Sequence, residues 1–340
     1  MNYRRVVVTR SGGPEVLEVV TSELPEPPPG QVRVKMRAAG VSYGDLLARA
    51  GAIPDAPKPP FTPGFDITGI VDKLGAGVSA PPVGQQVTAL LNAGGGYAEY
   101  ACLPVDRLVS VPDGVDAVQS AAAVLNYFVA YQMLHRVAQL KPGQRVLVHG
   151  AAGGVGSALV RLAELAGLDC YGTASGAKHH LVSAQGAVPI DYQRDDFVRR
   201  IRNLTGTGVD AVFDPIGGLN FLRSYQSLRA GGHLVAYGVS QAFKNGRRNR
   251  LTAIVSFLSV KLLGFLPTRK TATFYTASSL EKGQPAAYRE DLTTVLDLLA
   301  RQEIQPLIAE RLPLADAALA HELLSRSSVA GKIALTCADA

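Results

Sequence analysis

The run RVLVHG, AAGGVG, SALVRLAELAG at 145–167 constrains this chain more than any other segment. It reads as an apolar strand, a glycine turn and an amphipathic helix, followed by a second strand-like run, DCYGTAS. That order builds a βαβ unit on a parallel sheet. Gly150, Gly153, Gly154 and Gly156 allow a tight turn and close approach of backbone to a pyrophosphate. The amides at the helix start, around Gly153, Gly154 and Val155, supply donors and a favourable dipole. Leu159, Leu162, Ala163 and Ala166 fall on one helical face, as a helix packed on a sheet requires. A ligand-free packing turn would carry the same glycines, and it is the flanking strand and helix that favour phosphate binding.

Around this unit the chain has 340 residues, enough for about two domains. With 47% hydrophobic and 18% charged residues, it has the apolar surface to offset ordering entropy, which excludes intrinsic disorder. A net charge of +6 is too dilute over this length to imply nucleic acid. Cys102, Cys170 and Cys337 are too few and too irregularly spaced for a disulfide framework or a four-thiolate zinc site. The opening MNYRRVVVTRSGG has only a three-valine apolar run, so a cytoplasmic address is expected.

Up to about residue 120, short β segments such as RRVVVT, QVRVKMRAAGV and ITGIVDKLG alternate with Pro- and Gly-rich stretches. From about Ser120, strands alternate with helices through VDAVFD and HLVAYG. After Pro267 the tail TATFYTA, DLTTVLDLLARQ, ADAALAHELLSRS and KIALTC is read as returning to the first domain. The expectation is an α/β chain with a β-rich domain over 1–123 and 267–340. A doubly wound, parallel-sheet nucleotide domain is inserted at 124–266.

The end of the second strand bears on the cofactor. NAD-binding units place an acid there for the ribose 2′-hydroxyl, whereas this chain reads Thr173, Ala174, Ser175, Gly176, Ala177, Lys178, His179. Hydroxyls and a cation suit a 2′-phosphate, so Ser175 and Lys178, with Tyr192 from the next strand end, are expected to select NADPH over NADH, and Thr173 is expected among the cofactor-binding residues. The alternative is that Lys178 simply opens a surface helix. Gly217 and Gly218, with Tyr237 and Gly238, fall at C-terminal ends of further strands, the edge where open α/β sheets bind ligands.

The AAGGVG turn, GTASGAKH, VDAVFDPIGG and LVAYGV, behind a β-rich N-terminal domain, resemble the medium-chain dehydrogenase/reductase family. The branch is the zinc-independent quinone oxidoreductases, and LNYFVAY, PIDY and DPIGG are similar to its vesicle amine transport protein 1 group. The resemblance covers nearly the whole chain. It implies a GroES-like catalytic domain and a Rossmann domain, NADPH, a homodimer, and reduction of quinones or α,β-unsaturated carbonyls. It also implies that Val129, where a relative has threonine, lies beside the nicotinamide, and that Lys332 belongs among the cofactor residues.

Zinc relatives carry a cysteine in G-V-C-x-x-D and a histidine in G-H-E, and this chain has Gly40-Val41-Ser42-Tyr43-Gly44-Asp45 and Gly64-Phe65-Asp66. A hydroxyl and a phenyl ring do not replace a thiolate and an imidazole on zinc, so no metal is expected. Hydride addition to an already activated acceptor then needs a donor for the oxygen that gains charge. Relatives often have a tyrosine where Ile53 stands. Ser42, Tyr43 and Tyr127 are the candidate replacements, although a tyrosine in such segments can equally be a packing residue. Asp45 is read as the cap of the helix LLARAG.

From Pro215 through Leu280 there is no Asp or Glu, while nine Lys and Arg residues fall there around LTAIVSFLSVKLLGFL, 251–266. This segment, 244–270, suits peripheral contact with an anionic membrane, or a helix packed over a cleft or dimer interface. Two alternatives to a quinone or enone reductase therefore stand. One is a lipid- or membrane-binding protein that retains an NADPH site with little turnover, and the other is a specialised biosynthetic enoyl reductase.

Overall fold

The computed structural model describes residues 1–52, 57–244, 247–248, 250–326 and 329–337, with backbone alone for 243, 244, 247, 248, 250, 251, 253 and 285. Ile53 lies outside the described residues, as do the side chains of Lys244, Arg247, Arg248 and Arg250. Two units divide the chain, Met1–Phe128 with Ala286–Ala340, and Val129–Pro285.

The chain opens with β1 (Asn2–Val8), β2 (Leu17–Glu23), β3 (Gln31–Val41) and α1 (Tyr43–Arg49). Next come β4 (Asp66–Leu74), β5 (Gln86–Leu90), β6 (Tyr100–Pro104), β7 (Val109–Ser110) and α2 (Ala117–Tyr131). The second unit follows with β8 (Arg145–His149), α3 (Gly154–Leu165), β9 (Asp169–Ala174), α4 (His179–Ser183), β10 (Val188–Asp191) and α5 (Phe197–Thr205). It continues through β11 (Val209–Asp214), α6 (Leu219–Ser227), β12 (Leu228–Ala236), β13 (Phe243–Lys244), β14 (Arg247–Arg248), α7 (Arg250–Phe265), β15 (Thr271–Phe274) and α8 (Ala277–Gly283). Then α9 (Pro285–Ala300), β16 (Ile308–Pro313), α10 (Ala317–Ser325) and β17 (Lys332–Thr336) close the chain.

In the first unit, β3 shows why a sheet forms. Val32, Val34, Met36 and Ala38 alternate inward while Gln31, Arg33, Lys35 and Arg37 point outward, the period of a half-buried strand. It pairs antiparallel with β4, β6 and β17 in a sheet ordered β16-β17-β3-β4-β5-β7. Ile67, Val71, Val87, Ile333 and Leu335 complete that core.

The second unit holds a six-stranded parallel sheet ordered β10-β9-β8-β11-β12-β15. Its central strands are continuous apolar runs, with Val146, Leu147, Val148 and Ala211, Val212, Phe213 all buried, as a sheet covered on both faces demands. The order reverses between β8 and β11, so the crevice beyond their C-terminal ends is where such sheets take ligands.

The borders of the two units differ from the expected ones. The reading returned the chain to the first domain at 267, but TATF forms β15, which pairs parallel with β12 from His233↔Thr271 to Ala236↔Phe274. That strand therefore belongs to the second unit, which runs to Pro285, and its start falls at Val129 inside α2 instead of at 124. A short β-branched segment carries no mark of the sheet that receives it, which is why the sequence misplaced it.

Candidate functional site

Beyond the end of β8 the chain turns at Gly150, whose φ of 65° lies in the left-handed region that glycine tolerates. The turn closes with Gly153 N–H donating to Gly150 O at 2.9 Å. A Cβ on Gly156 would lie 2.1 Å from that same carbonyl, so helix α3 comes this close only because position 156 has no side chain. Gly153 caps α3 without a side-chain hydrogen bond, and Gly154, Val155 and Gly156 form its first turn, which contains no acid. N–H groups in a first turn have no intrahelical acceptor, and the dipole there favours an anion. The backbone cradle fits a pyrophosphate.

Thr173, near the end of β9, is 1% exposed. It accepts the Gly150 amide on Oγ1 at 3.3 Å and the Ala151 amide on its carbonyl at 3.0 Å, so its part is to hold the turn. Ser175 and Lys178 are half-buried just beyond, joined by Lys178 N–H donating to Ser175 O at 2.8 Å, and Tyr192 is 57% exposed past β10. The sequence reading missed one neighbour. A Cβ on Gly176 would stand 3.0 Å from Asp191 Oδ2, so the fold brings a carboxylate to this strand end from β10. Its Oδ1 accepts the Gln193 amide at 3.0 Å. Asp191 stands in the PIDY segment, but only the β9–β10 pairing shows that it faces Gly176.

At the end of β11, Gly217 and Gly218 have φ of 85° and 60°. The Gly218 amide donates to Ser256 Oγ at 2.9 Å, and a Cβ on Gly238 would lie 2.8 Å from Pro215 O. Tyr237 is half-buried and donates its amide to Asp214 O at 3.0 Å. These glycines let three backbone segments converge beside the crevice.

The candidate donors lie in the first unit. Ser42, not Asp45, caps α1, and Asp45 sits at the third helical position and reciprocates in a capping box. Asp45 Oδ2 accepts from Ser42 N at 2.9 Å and Ser42 Oγ at 2.6 Å, while Oδ1 accepts from Gly64 N at 2.8 Å. The Ser42 proton is thereby directed to the Asp45 carboxylate. Burial, then the nearby Asp66, push the Asp45 carboxyl up to about 6. Tyr127 is 3% exposed and donates to the Gln305 carbonyl at 3.4 Å, within the unit. Tyr43 is 36% exposed, and burial of the rest of its ring holds the phenol up to about 12.

Lys332 is 3% exposed, and its Nζ lies 2.5 Å from Asp66 Oδ2 inside the first unit's sheet. Its ammonium is held in an internal ion pair, a contact the sequence reading did not expect for it. Val129 is buried at the start of the second unit.

Comparison with known proteins is consistent along the chain. Residues 28–113 match the alcohol dehydrogenase GroES-like domain, and residues 185–335 match a family described as zinc-binding dehydrogenase. The human synaptic vesicle membrane protein VAT-1 homolog is 32% identical over 98% of this chain and 86% of its own. Quinone oxidoreductase of Lama guanicoe is 32% identical over 98% and 97%. The chain belongs to the medium-chain dehydrogenase/reductase family. Among solved members, mycobacterial Rv1454c complexed with NADPH superposes with a TM-score of 0.86 at 31% identity, covering 98% of this chain and 99% of that one.

For a medium-chain dehydrogenase/reductase, the first unit departs from the zinc pattern at the positions noted in the sequence. Ser42 is engaged with Asp45, and Phe65 stands before Asp66. Among the described residues no three His, Cys, Asp or Glu side chains gather as a metal site.

Proposed function

We propose that this chain is an NADPH-dependent reductase that delivers hydride to a quinone or an α,β-unsaturated carbonyl. The observation that carries the reading is the Gly150–Gly156 cradle leading to Ser175 and Lys178 at the end of β9. Bound NADPH would supply the hydride. Gly154, Val155 and Gly156 amides would hold the pyrophosphate, Ser175 and Lys178 the 2′-phosphate with Tyr192 beside it, and the Gly217, Tyr237 and Gly238 backbones the nicotinamide half, with Val129 packing nearby. Tyr43, protonated at neutral pH, would donate a hydrogen bond to the acceptor oxygen as charge develops there, and solvent returns the proton that completes the two-electron reduction. The test is NADPH oxidation by purified protein across quinones, enals, enones and enoyl thioesters, with NADH in parallel. NADPH-selective turnover of quinones or enones supports the reading, strong preference for one thioester favours a specialised enoyl reductase, and tight NADPH binding with no turnover on any acceptor overturns it.

A second reading has its own observation. Helix α7 exposes Ile254 at 54%, Leu262 at 67% and Phe265 at 85%, and with α6 it lines a groove of about 560 Å³ through Leu219, Leu222, Val255 and Leu263. No helix among the described residues is long and apolar enough to cross a membrane. An apolar helix face in a stretch that has cations and no acids supports peripheral contact with anionic lipid. Co-flotation with anionic but not zwitterionic vesicles, weakened by salt and by Leu262→Ser with Phe265→Ser, tests it. Among the described residues β15 is the terminal strand of its sheet, which similarly supports a homodimer formed by sheet continuation, to be checked by sedimentation.

A further inference from the structure

Beneath the phosphate turn a chain of buried hydrogen bonds crosses three strands of the second unit. His149, at the end of β8, is 1% exposed. Its Nδ1 lies 3.0 Å from Thr173 Oγ1 on β9 and its Nε2 lies 3.0 Å from Ser224 Oγ on α6. Ser224 Oγ is 2.6 Å from Asp214 Oδ2 at the end of β11. Asp214 also accepts from Asn220 Nδ2 at 2.8 Å and, on Oδ1, from the Ile216 amide at 2.7 Å. Thr173, Ser224 and Asp214 are as buried as the imidazole.

Proton counting leaves one arrangement for a neutral ring. A carboxylate only accepts, so the Ser224 hydroxyl proton points to Asp214 and Ser224 Oγ is left as an acceptor. His149 Nε2 must then carry the ring proton, and Nδ1 becomes the acceptor. Thr173 donates to Nδ1, and its remaining lone pairs accept the Gly150 amide. Burial of the ring favours the neutral form. Phe197 on α5 packs edge-on at 4.6 Å, burial lowers the imidazole from its ordinary range, and Arg223 on α6 acts in the same direction while Asp214 opposes it.

We propose that His149 is a positioning residue that fixes the direction of this relay. Through it the phosphate turn at Gly150 is coupled to the turn at Ile216–Gly218, the two ends of the nucleotide site. The inference deepens the proposed function and rests on that reading for its link to NADPH. The relay itself is a property of the chain alone. With the ring as an Nε2–H tautomer, Thr173 is held as an acceptor toward Gly150, and loss of either hydroxyl leaves the imidazole without its partner at one end.

The first test reads the tautomer in ligand-free protein by long-range proton–nitrogen NMR on histidine-labelled material, assigned with His149→Gln. The expected result is one histidine neutral and protonated on Nε2 at neutral pH. An Nδ1–H tautomer, or a charged ring at neutral pH, overturns the relay. The second test uses Thr173→Val and Ser224→Ala, which remove single hydroxyls and keep the proposal falsifiable where a His149 variant fails to fold. Ser224→Ala is expected to speed hydrogen exchange at the Gly150 amide, and Thr173→Val at the Ile216 amide. Unchanged exchange at the distant amide overturns the coupling. In NADPH fluorescence titrations each variant should weaken binding about three- to tenfold, the scale of one lost buried hydrogen bond. The double variant should lose no more than the weaker binder of the two, whereas multiplied losses mean two independent structural contacts. Failure of the wild-type protein to bind NADPH removes the proposed function, while the tautomer and amide exchange still decide the relay.

Discussion

Lys332 Nζ lies 2.5 Å from Asp66 Oδ2, with the two side chains 3% and 0% exposed. The pair fits because Gly40, between them on β3, has no side chain. A Cβ there would fall 2.2 Å from Asp66 Oδ2 and 2.3 Å from Lys332 Cε. Taking two charges out of water repays its cost only while both partners are present.

Lys332→Met should therefore destabilise the protein by about 3–5 kcal/mol, because it strands a buried carboxylate. Asp66→Leu combined with Lys332→Met should lose less than the single change, since neither charge is left alone. Gly40→Ala should resemble the single change. Urea denaturation followed by circular dichroism compares the variants, and a double variant worse than Lys332→Met would contradict the pairing.

Asp45 gives a pH dependence with an unusual sign. Its folded carboxyl sits at about 6, raised by burial and by Asp66, above the ordinary value near 4 of an unfolded chain. Between those values the folded state binds more protons than the unfolded one, so stability falls as pH rises through that window. The expected loss between about pH 4 and about pH 6 is on the order of 2–3 kcal/mol. Asp45→Asn should flatten this part of the profile, at the cost of a capping box worth about 1 kcal/mol. Urea midpoints at several pH values provide the check.

How much of this was legible beforehand divides along physical lines. The strand, turn and helix around Gly150 were readable because glycine placement and helical periodicity are local. The helix start at Ser42 was misread, because Ser42 and Asp45 are both good cap residues and only their mutual bonds show which one is outside the helix. Lys332 and Asp191 were beyond reach for another reason. What a buried charge does depends on its surroundings, and Asp66 on β4 and Gly176 just beyond β9 are distant in sequence from the residues they face. The His149 relay was invisible for the same reason, since its four members come from β8, β9, α6 and β11.

The two tyrosines should separate cleanly. Tyr127 is buried with its hydroxyl directed to the Gln305 carbonyl, whereas Tyr43 keeps a third of its surface exposed. Tyr43→Phe is expected to lower kcat about tenfold or more with the most active acceptor, the scale of one hydrogen bond to developing charge. Tyr127→Phe should leave kcat within about twofold and cost about 1 kcal/mol of stability. Equal turnover of wild type and Tyr43→Phe would move the donor elsewhere.

Cofactor choice depends on the strand end where Ser175 and Lys178 meet Asp191. A lysine ammonium on a phosphate is a charge-assisted contact worth about 1.5–3 kcal/mol, so Lys178→Ala should weaken NADPH about tenfold or more while NADH changes little. Ser175→Ala should follow in the same direction with a smaller loss, because a hydroxyl contributes a single hydrogen bond to the phosphate. Asp191 acts oppositely. Its carboxylate beside Gly176 repels a 2′-phosphate and would accept a ribose hydroxyl, so Asp191→Asn should strengthen NADPH relative to NADH. Fluorescence titration of both cofactors against the three variants measures the preference. A Lys178→Ala protein that loses NADPH and NADH equally would place the lysine outside the 2′-phosphate site.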